Sequence, residues 1–209
     1  MSADVPEDPR EALIGIAREF HARGWMPGTA GNLSARCGDG FWITASGRSK
    51  GRLTVDDFVF VDRRGSAREA VLHQKPSAET SLHAAVYEID PGAGACLHVH
   101  SVSACLVSAS ARGSALRLPA IEMIKAFDIW SADPKVDLPL FENHADVSRI
   151  AADVLRAFRV HRPAIPAFLV RNHGVTVWGP SLEHAYHRVE ALEFLLEVLE
   201  RSGNRGPGA

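Results

Sequence analysis

The chain has 209 residues, a formal net charge of −2 and a hydrophobic content of 46%. This length predicts a single domain over residues 1–209 with a sizeable core. The weak net charge argues against nucleic acid as a partner, and no apolar run approaches the roughly 20 residues of a membrane span. Three cysteines without a framework spacing, and an N-terminus without signal-peptide features, predict a cytoplasmic protein with free thiols.

Helices and strands alternate along the predicted chain. In order, the patterns predict a helix at 9–24, a glycine-rich loop leading into an alternating stretch at 24–36, strands at 41–44 and 56–62, a helix at 75–93, a strand entering a helix at 94–109, a short helix around Glu122, a strand at 136–141, a helix at 144–158, a hairpin at 164–179 and a helix at 181–200.

Several residues indicate where these elements end. Ser77 is the predicted N-cap of the helix at 75–93, and Asn172-His173-Gly174 is the predicted hairpin turn. Tails at about 1–8 and 202–209 are expected to be disordered. The alternation of strands and helices predicts a sheet covered by helices on both faces.

The stretch CLHVHS, residues 96–101, places two histidines two positions apart in an apolar strand. Residues i and i+2 of a strand share a face, so His98 and His100 point one way while Leu97 and Val99 point the other. Two imidazoles roughly 6–7 Å apart at the backbone can converge on one metal ion. The pair predicts a metal site, although ten histidines in one chain also fall close together by chance.

The turn of the predicted hairpin supplies a candidate third ligand. His173 lies in RNHGV between two apolar strands, where its side chain can point into a cleft. An ordinary turn residue is the alternative. Cys96 shares the strand face of His98 and His100, so a Cys-x-His-x-His site also stays open, as does a buried cysteine with no ligand role.

Two carboxylates are candidates for proton transfer. Glu79 lies near the start of the helix at 75–93, where the helix dipole alone would favour an acid. Glu122 has apolar neighbours on both sides, which predicts partial burial and a raised pKa suited to proton transfer. A solvent-facing position on a short helix is the alternative for Glu122.

The segment ITASGRSKGRL, residues 43–53, predicts an anion site. Ser46 and Gly47 are small enough for backbone N–H groups to approach an anion, and Lys50 adds positive charge. Phosphate is the usual ligand of such a segment. A glycine-rich hairpin with no ligand is the alternative.

These pieces, in this order, resemble the class II aldolase superfamily, which includes fuculose-phosphate aldolase and ribulose-phosphate 4-epimerase. The resemblance extends from about Glu11 to Leu199 and is carried by GNLSAR, ITASGRSKGRL, KPSAETSLHAAVY, LHVHS and RNHGVTVWG. It implies an α/β fold with three layers, α/β/α, around a mixed, largely antiparallel sheet, and a homotetramer. It also implies one zinc ion per subunit, held by residues that match His98, His100 and His173.

Within that superfamily the chain is most similar to the dehydratases of methionine salvage, through GWMPGTAGNLSAR, EMIK and LVRNHGVTVWG. Those enzymes convert a sugar phosphate, 5-methylthioribulose 1-phosphate, to 2,3-diketo-5-methylthiopentyl 1-phosphate. The similarity implies that Glu122 is the catalytic acid/base. Some members carry Cys where this chain has Glu79, so Glu79 stays open as a fourth ligand, a base at carbon 3 or a structural residue. The candidates for the phosphate end are Asn32, Ser46, Gly47, Ser77 and Lys50.

Two other functions stay open. An aldolase or epimerase acting on another sugar phosphate would share the zinc site, and Glu122 is the residue that discriminates against it. A metal-dependent structural or interaction protein is the second. Three histidine ligands leave a coordination position open, whereas a structural zinc usually has four protein ligands.

Overall fold

The computed structural model describes residues 8–67 and 74–203. These residues contain eight strands: β1 (Asn32–Cys37), β2 (Gly40–Thr44), β3 (Phe58–Asp62), β4 (Ala95–Val99), β5 (Ala115–Arg117), β6 (Asp137–Phe141), β7 (Ala167–Val170) and β8 (Gly174–Gly179). They form one sheet in the order β3-β2-β1-β4-β8-β7-β6-β5. Neighbouring strands are antiparallel except β6 and β7, which are parallel.

In the described part of the chain, five α-helices cover this sheet. They are α1 (Arg10–Ala22), α2 (Thr80–Ile89), α3 (Val102–Ser110), α4 (Val147–Val160) and α5 (Leu182–Ser202). Among the described residues, no helix is both long enough and apolar enough to cross a bilayer.

Two apolar clusters hold the helices on opposite faces of the sheet. One contains Leu97 and Val177 of the sheet together with buried residues of α1, α3 and α5. The other contains Phe168 and Trp178 with buried residues of α2 and α4. This arrangement confirms the predicted three-layer α/β/α fold with a mixed, largely antiparallel sheet.

The register of three central strands places polar residues side by side. Asn32 of β1 pairs with His98 of β4, and His98 pairs with Thr176 of β8. Because directly paired residues share a face, the three side chains form a row on the α2 side of the sheet. Leu97, their neighbour along β4, packs into the opposite core as the strand pattern predicts.

The start of α2 differs from the prediction. The helix begins at Thr80 with Glu79 in the N-cap position, so the prediction of Ser77 as the cap is wrong. Ser77 instead forms a turn ahead of the helix, where its carbonyl accepts the Thr80 hydroxyl at 2.6 Å and its Oγ accepts the Glu79 N–H at 3.3 Å. The turn leaves the Glu79 side chain directed at the sheet instead of along the helix surface.

Residues with positive φ follow α1 and form the predicted hairpin turn. Gly24, just after α1, has φ +78°, and Asn172 in the hairpin turn has φ +53°. Of the two tails, residues 1–7 and 204–209 lie outside the described residues, whereas Ser202 is the last residue of α5. Cys37, Cys96 and Cys105 are free thiols, as the composition predicts.

The packing of the core predicts that truncation of two different valines has very different effects on stability. Val177 is fully buried in β8, whereas Val160, at the end of α4, is 71% exposed. We expect Val177→Ala to lower the free energy of unfolding by about 2 kcal/mol, because it leaves a cavity at the sheet–helix contact. Val160→Ala should change it by less than about 0.5 kcal/mol. Chemical unfolding at one fixed protein concentration measures both, and equal losses would contradict this packing.

Candidate metal centre

Four side chains from separate segments converge at one edge of the central strands. Glu79 precedes α2, His98 lies on β4, His100 follows β4, and His173 lies in the turn between β7 and β8. One ligand atom from each of the four lies within 4.8 Å of the others. The structure therefore brings together the three histidines and the acid that the sequence singles out, in a group that could hold a metal ion.

The spacing of the donor atoms suits a small tetrahedral ion. The Nε2 atoms of His98 and His100 are 2.9 Å apart. Glu79 Oε1 lies 2.8 Å from His173 Nε2, and Glu79 Oε2 lies 3.1 Å from His98 Nε2. Ligand atoms in a tetrahedron around zinc, with bonds of roughly 2.0–2.1 Å, are roughly 3.3 Å apart. The residues present therefore fit a zinc ion.

Outer partners direct the imidazoles. His98 Nδ1 hydrogen-bonds Thr176 Oγ1 at 2.8 Å, and His173 Nδ1 lies 3.3 Å from Asn143 Oδ1. A histidine whose Nδ1 is engaged in this way presents Nε2 to a metal, and the partner fixes the ring orientation. The set of paired residues Asn32, His98 and Thr176 thus includes one candidate ligand and the hydroxyl that hydrogen-bonds it.

Burial keeps two of these imidazoles in the form that binds metal. Burial lowers the pKa of His98 to about 4, although Glu79 opposes the shift. Burial, with the neighbouring His98, lowers the pKa of His100 to about 3. Both rings are therefore neutral at physiological pH, and a neutral imidazole is the ligand form.

Glu79 is the buried charge of the group. Burial raises the pKa of this carboxyl, but its contacts with His98, His173 and Asn32 outweigh the effect of burial and hold the pKa below its ordinary value. Asn32 Nδ2 donates to Oε2 at 2.6 Å. Glu79 is therefore an anion at neutral pH, able to accept a proton or to bind a cation.

The predicted phosphate residues border the same site. A hollow of about 240 Å³ is lined by Glu79 and His100 together with all five of those residues: Asn32, Ser46, Gly47, Lys50 and Ser77. The Lys50 Nζ donates to the carbonyls of Thr29 and Arg48 at 2.6 and 2.9 Å, and burial lowers its pKa to about 8. An ammonium has three N–H groups, so one remains for an anion in the hollow.

Residues 11–199 match the family described as Class II Aldolase and Adducin N-terminal domain. The chain belongs to this family.

Curated relatives and a solved structure support the same placement. The chain is 52% identical over 194 residues to the methylthioribulose-1-phosphate dehydratase of Microcystis aeruginosa, covering 92% of this chain and 95% of the relative. It is 44% identical over 200 residues to the Leptospira biflexa protein of the same name, covering 91% and 96%. The crystal structure of L-fuculose-1-phosphate aldolase from Thermus thermophilus matches with a TM-score of 0.74 at 28% identity, covering 94% of this chain and 97% of that one.

Glu122 stands apart from this class II aldolase site. It begins the 3₁₀ helix Glu122–Phe127, its side chain is 81% exposed, and it pairs with Lys125 at 2.6 Å. The expectation that Glu122 is partly buried is wrong. Ile124 and Phe127 of the same helix face the core, and their inward turn directs Glu122 to solvent. Glu122 lines a different hollow of about 260 Å³, beside Trp130.

Of the two readings of Cys96, the structure favours a buried cysteine with no ligand role, and it adds a buried histidine, His83. Cys96 is fully buried in β4 and does not belong to the four-residue metal-ligand group. His83 was not recognised from sequence, yet it is fully buried and its Nε2 lies 2.6 Å from Asn32 Oδ1. The available signal was its position four residues after Glu79, on one face of α2.

The Thr176 hydroxyl provides a test of the metal centre. We expect Thr176→Val, which keeps the side-chain shape but removes the partner of His98 Nδ1, to weaken divalent metal binding by about 10- to 100-fold. Thr176→Ser keeps the hydroxyl and should bind within about threefold of the parent protein. Competition with a chromophoric chelator measures both affinities. Equal affinities for the two variants would show that Thr176 does not orient a ligand.

Proposed function

We propose that this protein catalyses the zinc-dependent dehydration of 5-methylthioribulose 1-phosphate to 2,3-diketo-5-methylthiopentyl 1-phosphate in methionine salvage. The observation that carries the proposal is the group Glu79, His98, His100 and His173, which opens onto a hollow that also contains Lys50. The curated dehydratases, at up to 52% identity over nearly the whole chain, support this substrate.

The three imidazoles are the proposed zinc ligands, with one ion per subunit. Zinc bound there would act as a Lewis acid that stabilises negative charge on substrate oxygens. Three neutral ligands would leave such an ion its full charge and an open position. Glu79 lies close enough to compete for that position, and its Oε1 and Oε2 face different partners.

The two carboxylates divide the proton transfers. We assign Glu79 as the base that takes the proton from carbon 3, since it is an anion inside the site. The bond between carbon 4 and its hydroxyl then breaks, and the hydroxyl leaves as water with a proton from Glu122. The resulting enol then tautomerises: carbon 4 takes up a proton while the hydroxyl at carbon 3 gives one up, which produces the diketone. Overall one molecule of water is removed and no oxidant is needed.

The phosphate end is assigned to the hollow beside the cluster. Lys50 contributes its third N–H, and Ser46, Gly47 and Ser77 contribute hydroxyl or backbone N–H groups. Asn32 has one amide hydrogen engaged with Glu79 and its oxygen engaged with His83, so its second amide hydrogen is the one assigned to phosphate. A buried ammonium with two fixed carbonyl partners is a preorganised anion ligand.

The exposed position of Glu122 has a consequence for assembly. An acid on the outer surface of one subunit reaches the buried cluster of another only if the chain oligomerises. We therefore infer an oligomer, the homotetramer that the family resemblance implies, in which Glu122 of one subunit protonates the leaving hydroxyl in the site of a neighbour. The exposed indole of Trp130, next to Glu122, is an apolar surface suited to such a contact. A cytoplasmic location suits the free thiols.

An aldolase or epimerase acting on another sugar phosphate is the second candidate. The likeness to the fuculose-phosphate aldolase structure favours it, because the whole fold is shared. Both functions use the same cluster, so only turnover separates them.

The function is tested on purified protein with defined metal content. We expect about one zinc per chain and formation of the diketone from 5-methylthioribulose 1-phosphate, read from its ultraviolet absorption. Fuculose 1-phosphate and ribulose 5-phosphate are the comparison substrates. Turnover of either phosphate in preference to the methylthio substrate would replace this proposal with the second candidate.

The Glu122→Gln variant tests two points: whether Glu122 is the acid, and whether it acts in the site of a neighbouring subunit. The change removes the titrating proton but keeps the shape, so we expect turnover to fall by about 10²- to 10⁴-fold with zinc still bound. We expect His98→Ala to be inactive through loss of zinc. When the two variants are mixed by reversible dissociation, the mixed oligomers should recover about a quarter of parental activity, because a zinc site and a Glu122 then meet across an interface.

A matched mixture controls for nonspecific recovery. His98→Ala mixed with His173→Ala should stay inactive, because both ligands come from one chain. If Glu122→Gln and His98→Ala fail to complement although mixed oligomers form, Glu122 does not act across an interface. Near-normal turnover of Glu122→Gln would remove it from the reaction.

A further inference from the structure

Behind Glu79 lies a row of hydrogen-bonded side chains that leads away from the metal ligands. Tyr87 bonds Ser34 at 2.8 Å, Ser34 bonds His83 Nδ1 at 2.7 Å, and His83 Nε2 bonds Asn32 Oδ1 at 2.6 Å. Asn32 Nδ2 completes the row by donating to Glu79 Oε2 at 2.6 Å. The four residues behind Glu79 are each at most 5% exposed.

The row arises because polar residues spaced four apart along α2 pack against polar residues spaced two apart on β1. Glu79, His83 and Tyr87 are four residues apart, which places them on one face at the start and along α2. Asn32 and Ser34 are two apart on β1 and share a face of the sheet. Where this helix face lies over this strand face, the polar residues alternate: helix, strand, helix, strand, helix.

The anion at one end determines the direction of every hydrogen bond in the row. A carboxylate only accepts, so Asn32 turns its NH₂ to Glu79 and its carbonyl to His83. The carbonyl then requires the hydrogen of His83 on Nε2. Nδ1 is left as an acceptor for the Ser34 hydroxyl, and Ser34 Oγ accepts from the Tyr87 hydroxyl.

The opposite direction is unfavourable for the same reason. Ser34 Oγ also lies 3.3 Å from the Cys96 carbonyl, so it has another acceptor available. If Ser34 donated there, His83 would carry its hydrogen on Nδ1 and present a bare Nε2 to Asn32. The amide would then turn its oxygen to Glu79, and two acceptors would face each other in a buried site.

We propose that His83 is a positioning residue for the metal centre: its Nε2–H fixes the amide of Asn32, and the amide in turn holds Glu79 Oε2, which leaves Oε1 directed at His173. This inference rests on the proposed metal-dependent function and assigns a role to a residue outside the ligand group. His83 has no contact with substrate in this arrangement. It acts only through Asn32.

Two amide substitutions at His83 separate positioning from packing. In His83→Gln the longer side chain reaches Asn32 and keeps a donor there. In His83→Asn the shorter side chain faces Ser34 and stops short of Asn32. Both variants replace the ring by a buried carboxamide, so their packing losses are similar. Tyr87→Phe is the third variant, since it removes only the far hydroxyl of the row.

The readouts are Co²⁺ affinity, the visible spectrum of bound Co²⁺, and turnover of the zinc-loaded oligomer. We expect His83→Asn to weaken Co²⁺ binding by about 10- to 100-fold and to change the spectrum, because the negative charge of Glu79 is then no longer held beside His98 and His173. His83→Gln and Tyr87→Phe should bind within about threefold of the parent and keep its spectrum. Thermal unfolding checks that each variant is folded.

Several outcomes overturn the inference. Parental Co²⁺ affinity and spectrum in His83→Asn would show that His83 does not position Glu79, and an equal loss in all three variants would assign the row to packing alone. If His83→Asn does not fold, retention of the spectrum by His83→Gln still supports the inference, and its loss overturns it. If the variants show the expected order of Co²⁺ affinities but the parent protein does not dehydrate the substrate, only the proposed function is overturned.

Discussion

The buried carboxylate of Glu79 is the constraint on which the rest of the site depends. An anion removed from water costs several kcal/mol unless donors and opposite charge replace the lost hydration. Here Asn32 Nδ2 donates a hydrogen bond to Oε2, His173 Nε2 lies 2.8 Å from Oε1, and the Glu79 side chain is only 12% exposed. Each of these partners must itself be held, so the requirement extends outward to His83 on α2. The polar row behind the site is therefore a consequence of placing a charge inside the sheet.

The sheet meets this requirement because its central strands are antiparallel and in fixed register. Asn32, His98 and Thr176 lie next to one another on three strands, so the donor to Glu79, a candidate ligand and the support of that ligand are set by backbone pairing alone. Gly174 allows the start of β8 to lie close to the end of β4. A Cβ there would lie 2.2 Å from the Val99 carbonyl, so only glycine lets β8 begin against the end of β4. That approach brings His173 beside His100.

The residues predicted correctly are those whose geometry is local. The shared face of His98 and His100 follows from strand alternation, and the position of His173 follows from a tight turn between apolar strands. The exposure of Glu122 was not predictable in this way, because the direction of a short 3₁₀ helix depends on which of its apolar residues enter the core. His83 was missed for a related reason: its partner Asn32 is 51 residues away, and only the packing of α2 on β1 makes them neighbours.

The separation of the two carboxylates also has a chemical meaning. Elimination of water from adjacent carbons needs a base at one and an acid at the other, and two close carboxylates would each raise the other's pKa. Glu79 is held as an anion by its row of donors, whereas Glu122 is carried on a surface helix whose surroundings are independent of that row. In the proposed assembly the acid therefore meets the substrate without being part of the polar network that fixes the base. A family that keeps the cluster of Glu79 and the three histidines can change the residue at the position of Glu122. Such a change alters the reaction but leaves the buried charge of Glu79 with its partners.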